Sequence, residues 1–326
     1  MHHATDDRAR PAEAAVAETM LAVQYSRHGT PEVLGLATVR VPEVRAGSAL
    51  VAVQASSVNH ADLLIRSGKL KLISGRRFPR GTGFDFTGRI AAVGADVDGF
   101  SVGDEVWGFL NGTRQGPTAA TAEYVVAPVD RLALRPRSLD AVTAAALPGA
   151  AGAALAAIET AGVQTGDRVL IRGGAGGVGS AAIQLAAATG AHVTTLVRHA
   201  HLARARELGA AVEGELGTFD VILDLVGKRM RAYRRLLAPG GRMLTMTVGG
   251  VADGAYLVAS HVFGPRRIRL AQLPPDRAAL ERLAARVDAH DIVPIIDRVF
   301  PMADIAEAHR AAEAGGVLGK QVIRVR

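Results

Sequence analysis

Residues Ile171–Ala186 read IRGGAGGVGSAAIQLA: five glycines fall within seven residues, and an unbroken apolar, helix-forming run follows. The β-rich run DRVLIRG, from Asp167, stands directly before them. Gly174, Gly176 and Gly179 spell G-x-G-x-x-G at this strand-to-helix turn. The first glycine permits the turn, the second lets backbone approach a pyrophosphate, and the third lets helix and strand pack closely. Free N–H groups and the positive end of the helix dipole then face the phosphates. Gly174, Ala175, Gly176, Gly177, Val178 and Gly179 are therefore the candidate pyrophosphate cradle. A glycine-rich packing turn without a ligand is the plainer alternative, and only the flanking context argues against it.

That context continues downstream. AHVTTLVR, FDVILDLVG, GRMLTMTVGG and RIRLAQL read as strands; Val178 to about Thr189, HLARARELGA and RMRAYRRLLAPGG read as helices. The last of these is expected to close at Pro239 and Gly240. Short β-branched runs separated by helices predict parallel βαβ units. The first 140 or so residues differ, with strand-like pieces between Gly- and Pro-rich turns, as in an irregular antiparallel β domain. The tail, IDRVFPMADIAEAHRAAEAGGVLGKQVIRVR, reads strand, helix, turn, strand. The expected division is one domain from 20–143 with 274–326, a nucleotide-binding domain over 144–273, and a loose extension over 1–19.

The second parallel strand decides between coenzymes. An acid at its end would hold both ribose hydroxyls and select NAD. TTLVRHAH has Arg198 there, with His199 and His201 behind it. A cation at that place suits a 2′-phosphate, so NADPH is the expected cofactor; an arginine that merely solvates a strand end is the alternative. Ligands of open α/β sheets lie outside the carboxyl ends of the strands. Leu225, Val226 and Gly227, and Thr247, Val248 and Gly249, are accordingly expected to border the coenzyme.

Composition removes other classes. The 326 residues include no cysteine, which excludes disulfides, cysteine–zinc sites and a thiol nucleophile. No segment has the length and apolarity of a transmembrane helix, and the leader lacks a basic start followed by an apolar core, so a cytoplasmic protein is expected. Net charge is +7, but the arginines are scattered and aromatic residues make up only 4%, a poor basis for nucleic-acid binding. The excess charge better suits anionic small ligands.

The stretches HGTPEVLGL, SSVNHADLLIRSG, FPRGTGFDFTGRIAAVGADVDGFSVGDEVWG, AEYVVAP, AAALPGAAGAAL, GDRVLIRGGAGGVGSAAIQLA, ARELGA, FDVILDLVG and GKQVIRV occur in that order from Met20 to Arg326. Together they resemble the medium-chain dehydrogenase/reductase superfamily, in its zinc-independent, quinone oxidoreductase-like branch. The resemblance implies an α/β protein: a GroES-like β domain plus a Rossmann doubly wound parallel-sheet domain, with the C-terminus returning to the first. It also implies hydride transfer from NADPH to a quinone or to the C=C of an enone or enoyl substrate, and a homodimer paired along RIRLAQL. Metal-bearing members use cysteine, histidine and cysteine where this chain has Asn59, Phe84 and the cysteine-free segment around Leu147, so no metal site is expected. Lys320, in the matching GKQVIRV, joins the coenzyme set.

Without a metal to polarise a carbonyl, a substrate that spreads charge by conjugation is easier to reduce, given fixed donors for its oxygen. Asn59, in the former metal-ligand place, is the first candidate, for substrate oxygen or for the nicotinamide; it is also a turn-forming residue in SVNHAD. His60 is a candidate proton relay with solvent exposure as its alternative, and Asp62 a loop or helix-cap residue. Many relatives carry a tyrosine a few residues on; here Leu63 and Leu64 stand instead, leaving water or Tyr25 as donor. A threonine common near the nicotinamide is Ala153 here. The loop with Arg66, Lys69, Lys71, Arg76, Arg77 and Arg80 either attracts an acidic or carrier-bound substrate or is simply solvated. The rivals are a carbonyl or alcohol oxidoreductase and a nucleotide-binding relative without turnover.

Overall fold

The computed structural model describes residues 16–75, 77–110, 116, 119–211, 216–262, 268–271, 274–316 and 318–326. Most of the expected N-terminal extension, residues 1–15, lies outside that set. β1 (Thr19–Gln24) and β2 (Gly35–Arg40) pair antiparallel. β3 (Ser48–Ser57) leads into α1 (His60–Arg66) and the single turn α2 (Lys71–Ser74). β4 (Asp85–Val93), β5 (Glu105–Phe109), β6 (Tyr124–Pro128) and β7 (Leu132–Leu134) follow, all antiparallel to their neighbours. Val51, Val53, Phe86, Ile90, Val106 and Leu132 form the core between these strands.

α3 (Ala141–Ala144) and α4 (Pro148–Ala161) carry the chain into the second sheet. There β8 (Arg168–Arg172), α5 (Gly177–Ala188), β9 (His192–Leu196), α6 (Leu202–Glu207), β10 (Ala210–Ala211), β11 (Phe219–Asp224), α7 (Met230–Arg234), β12 (Leu237–Thr245), α8 (Val251–Val262) and β13 (Ile268–Leu270) alternate. The strands are all parallel, in the order β10-β9-β8-β11-β12-β13. That is the doubly wound arrangement with its switch point between the first and fourth strands, β8 and β11. Strand alternation serves both faces. Val169, Ile171, Val221 and Leu223 meet the α4 and α5 side, whereas Leu170, Ile222, Met243 and Leu257 pack on the other.

α9 (Arg277–Asp288), β14 (Ile296–Pro301), α10 (Ile305–Ala314) and β15 (Lys320–Arg324) return to the first sheet. Its seven strands run β14-β15-β3-β4-β5-β7, with β6 paired to β3. The strands and helices read from sequence are present with one difference among them, while α4, α8 and α9 are found only in the structure. The helix expected over RMRAYRRLLAPGG stops at Arg234, and LAPGG begins β12. Leu237 is buried against the apolar cluster around Phe219, and the Phe219 N–H donates to the Leu236 carbonyl at 2.8 Å. Pro239, Gly240 and Gly241 disfavour a helix here, and the strand contact takes over the segment.

Candidate active site and coenzyme groove

Asp85 is the hub of the site. It opens β4 opposite Ser57, the last residue of β3, and is fully buried. Its Oδ1 accepts the Gly149 N–H at 2.6 Å, so a carboxylate sits on the first turn of α4, where the helix dipole favours it. Gly149 is required for that approach: a Cβ there would stand 2.5 Å from the Phe109 ring and 2.8 Å from Asp85 Oδ1. Asp85 Oδ2 accepts from Ser57 Oγ, from Asn59 Nδ2 at 2.9 Å and from Lys320 Nζ at 3.2 Å. Lys320 also donates to Asn59 Oδ1 at 2.7 Å. The Asn59 amide is therefore fixed at both ends, one of its N–H groups remains unused, and the residue is half-buried. A buried ammonium beside a buried carboxylate is tolerable because each has further hydrogen-bond partners.

Asp62 holds the loop from beneath. Its carboxylate accepts the backbone N–H of Asn59 at 2.9 Å and of Gly83 at 2.8 Å, and so joins the start of α1 to the strand entering Asp85. Burial pushes its pKa up from 3.8 to about 6, against the lowering effect of those two donors. The folded value lies above the unfolded one, so this group takes up a proton on folding between roughly pH 4 and 6. Its contribution to stability is greatest at the acid end of that window and is lost as pH rises through about 6. Asp62→Asn is expected to remove this dependence. The stability of the variant relative to the parent should rise by about 2 kcal/mol between pH 4.5 and 7, read by denaturant unfolding. Parallel profiles would remove the assigned titration.

Lys320 connects this cluster to the glycine turn. Gly319, just before it, bridges Gly176, and the Gly319 N–H donates to the Ala175 carbonyl at 2.8 Å. A Cβ on Gly177 would lie 2.7 Å from Lys320 Cδ. In the turn itself, a methyl at Gly174 would stand 2.1 Å from Thr195 Oγ1, and one at Gly179 2.1 Å from the Gly173 carbonyl oxygen. Gly176 meets nothing closer than 3.9 Å, which leaves its backbone open to a ligand. Packing demands two of the three glycines, and the middle one faces free space. Val178, in the first turn of α5, is partly buried against the core.

The other coenzyme candidates lie along the same edge. The Gly249 N–H donates to the Gly227 carbonyl at 2.7 Å, which joins Leu225–Val226–Gly227 to Thr247–Val248–Gly249. Val226 and Val248 are each 40% exposed, enough to meet a ligand. Arg198 lies just beyond β9, exposed, with no carboxylate partner among the described residues. His199 and His201 form the single 3-10 turn behind it, the first exposed and the second half-buried.

Not every predicted residue reaches the cluster. Tyr25 is 2% exposed and packs among Val23, Leu34, Val58 and Leu63, with its ring 5.8 Å from that of Phe78; burial raises its pKa. His60 is exposed at the start of α1, beside the site; loss of hydration at its ring and then nearby Lys69 lower its pKa, which keeps it neutral at pH 7. The basic loop divides. Arg66 is buried and pairs with the exposed Glu313, and Arg80 is buried, donating to the Ser74 carbonyl at 2.6 Å. Lys69, Lys71 and Arg77 are exposed, and Arg76 lies outside the described residues. Sequence reasoning left out Asp85 and Ser57. The available signal was a lone acid within the apolar GFDFTG and one of only four lysines at the start of GKQVIRV.

The donor set does not fit zinc. Phe84 is buried and stacked on Phe109 at 5.4 Å, the Asn59 amide is committed to Asp85 and Lys320, and the Lys320 ammonium would repel a dication. A dinucleotide does fit, through the open backbone of Gly176, the cation of Arg198, which has no carboxylate partner among the described residues, and the two joined loops.

A glycine-turned doubly wound sheet abutting a β domain, with a buried Asn–Asp–Lys cluster at their seam, defines a two-domain dinucleotide-dependent oxidoreductase fold. Residues 45–137 match the family described as alcohol dehydrogenase GroES-like domain, and residues 184–323 match that described as zinc-binding dehydrogenase. The chain is 33% identical to NAD(P)H oxidoreductase RTN4IP1, mitochondrial, of Homo sapiens, over 85% of this chain and 81% of that one. It is 30% identical to 2-methylene-furan-3-one reductase of Solanum lycopersicum, over 95% and 83% of the two chains. The solved quinone oxidoreductase of Coxiella burnetii superposes with a TM-score of 0.84 at 31% identity, covering 94% of this chain and all of that one. The chain belongs to the medium-chain dehydrogenase/reductase superfamily, in its quinone oxidoreductase-like branch.

Proposed function

We propose that this chain is a zinc-independent, NADPH-dependent reductase of a quinone or of the C=C of an α,β-unsaturated carbonyl. The observation that carries the reading is the Asn59–Asp85–Lys320 cluster seated against the glycine turn, with Asn59 at a position to which the family resemblance assigns a metal ligand in zinc-bearing members. NADPH, when bound, supplies the hydride. Gly174–Gly179 would hold its pyrophosphate, Arg198 its 2′-phosphate, and the two joined loops its other half. The chain's own task is to orient both partners, exclude water and offer donors to the oxygen that gains charge. Asn59, held by Asp85 and Lys320, has an N–H free for that purpose. His60, exposed and neutral beside it, is placed to relay a proton from solvent. A conjugated acceptor suits this site because delocalisation does part of what a metal would do for a simple ketone. The names of the relatives, which include a furanone reductase and a quinone oxidoreductase, support the same substrate class.

The test is to follow NADPH and NADH absorbance against a panel of quinones, enones, enoyl thioesters and simple ketones. Oxidation of NADPH with conjugated acceptors and not with ketones is expected. Turnover confined to ketones or alcohols would sink the reading. Tight NADPH binding without turnover on any acceptor would leave a binding protein. The exposed edge of β13, with Leu270 half-exposed, is where a second copy would pair into a homodimer, and the mass in solution decides that.

A further inference from the structure

Arg172 ends β8 immediately before the glycine turn. Alternation continues the side of Leu170, so its guanidinium enters the layer covered by α7 and α8, where it is buried. Asp224, at the end of β11, stands opposite it in register on the same face. Arg172 Nη1 donates to Asp224 Oδ1 at 2.7 Å and to the Lys228 carbonyl at 2.9 Å. The guanidinium lies 3.6 Å from the centre of the Tyr233 ring on α7. Asp224 Oδ1 also accepts the N–H groups of Val226 at 3.0 Å and Gly227 at 3.1 Å, and the Leu225 N–H donates to the Arg172 carbonyl at 3.2 Å. Every residue from Leu225 to Lys228 is thus tied to Arg172 or to its carboxylate partner.

We propose that Arg172 is a positioning residue for the coenzyme: through Asp224 and the Lys228 carbonyl it holds the loop Leu225–Lys228 in the shape that receives the nicotinamide half. The inference rests on the coenzyme reading above. In a doubly wound sheet the two nucleotide halves lie on opposite sides of the switch point. The strand-end loop at Arg198 serves the adenosine half, and the loop after β11 serves the other. Arg172 is therefore expected to act on one half of the ligand only. Its planar guanidinium satisfies a carboxylate, a carbonyl and an aromatic face at once, which a lysine ammonium cannot reproduce.

The test uses the whole protein and two ligands, NADPH and adenosine 2′,5′-bisphosphate, which carries the adenosine half alone. Arg172→Lys keeps a cation beside Asp224. It is expected to fold, to bind NADPH roughly 3- to 10-fold more weakly, and to bind the bisphosphate as the parent does. Arg172→Met should extend the loss for NADPH to well beyond that of the lysine variant, again without moving the bisphosphate. Should Arg172→Met fail to fold, Arg172→Lys decides alone. Unchanged binding of both ligands, or equal weakening of both, overturns the proposal in favour of a structural ion pair. A parent protein that binds neither ligand would instead remove the coenzyme reading, and this inference with it.

Discussion

Arg198→Ala is expected to raise the KM for NADPH by roughly ten- to a hundredfold and to leave that for NADH nearly unchanged. The two coenzymes differ only by the 2′-phosphate, so the effect isolates one contact. Arg198 follows the second parallel strand, where an acid would have accepted the ribose hydroxyls of NADH. It is exposed and has no carboxylate partner among the described residues, so removing it leaves no buried charge and opens no cavity. A fall in stability would therefore not be the cause of a raised KM. The place is also solvent-screened. Added salt should weaken NADPH binding in the parent and have much less effect in the variant. Two explanations then separate. If Arg198 reads the phosphate, the ratio of the two KM values collapses towards one and kcat at saturating NADPH is kept. If it only solvates a strand end, both KM values stay where they were. Equal rises for both coenzymes would point to a distorted turn at His199–His201 and would remove the case for NADPH selection.

The proposed coenzyme half of the site could be read from the sequence because it is local. Gly174, Gly176 and Gly179 lie within one turn, and the strand and helix that give them meaning are adjacent residues. Arg198 is one strand further on, at a position the alternating topology defines. The proposed catalytic half is not local. Asp85 and Lys320 are 235 positions apart and meet only because β15 enters the first sheet beside β3. No periodicity reports such a pair; the only traces are a lone acid within GFDFTG and one of only four lysines in GKQVIRV. The basic loop was misleading for the converse reason. Its six cations look like one patch in sequence, yet Arg66 and Arg80 are buried, bonded to Glu313 and to the Ser74 carbonyl. A list of charges does not say which of them a later helix or an antiparallel bridge will cover. The early end of α7 has the same origin, since Leu237 is buried against a cluster assembled from other elements.

Lys320→Met should be the most damaging single change. It removes the cation from a carboxylate with no solvent exposure, and breaking a buried pair in this way costs about 3–5 kcal/mol. Asp85 would keep Ser57, Asn59 and Gly149 as donors, so part of that cost is offset. The apparent Tm should still fall by roughly 5 °C or more, and kcat/KM by at least about a hundredfold. Loss of activity alone would not separate chemistry from folding, because the same lysine fixes the Asn59 amide and packs on Gly177. The double variant Lys320→Met with Asp85→Asn makes the separation. With both charges gone neither member of the pair is left buried without its partner, and replacing such a pair by neutral groups is commonly close to neutral for stability. Asn59 Oδ1, released by the lysine, can then accept from the new amide at position 85, which turns its own N–H groups away from their former direction. Stability should return while turnover does not, because the donor offered to the substrate oxygen is no longer aimed. Recovery of both would make the cluster a structural rivet between the two sheets and would move the search for the oxygen's donor elsewhere along the cleft.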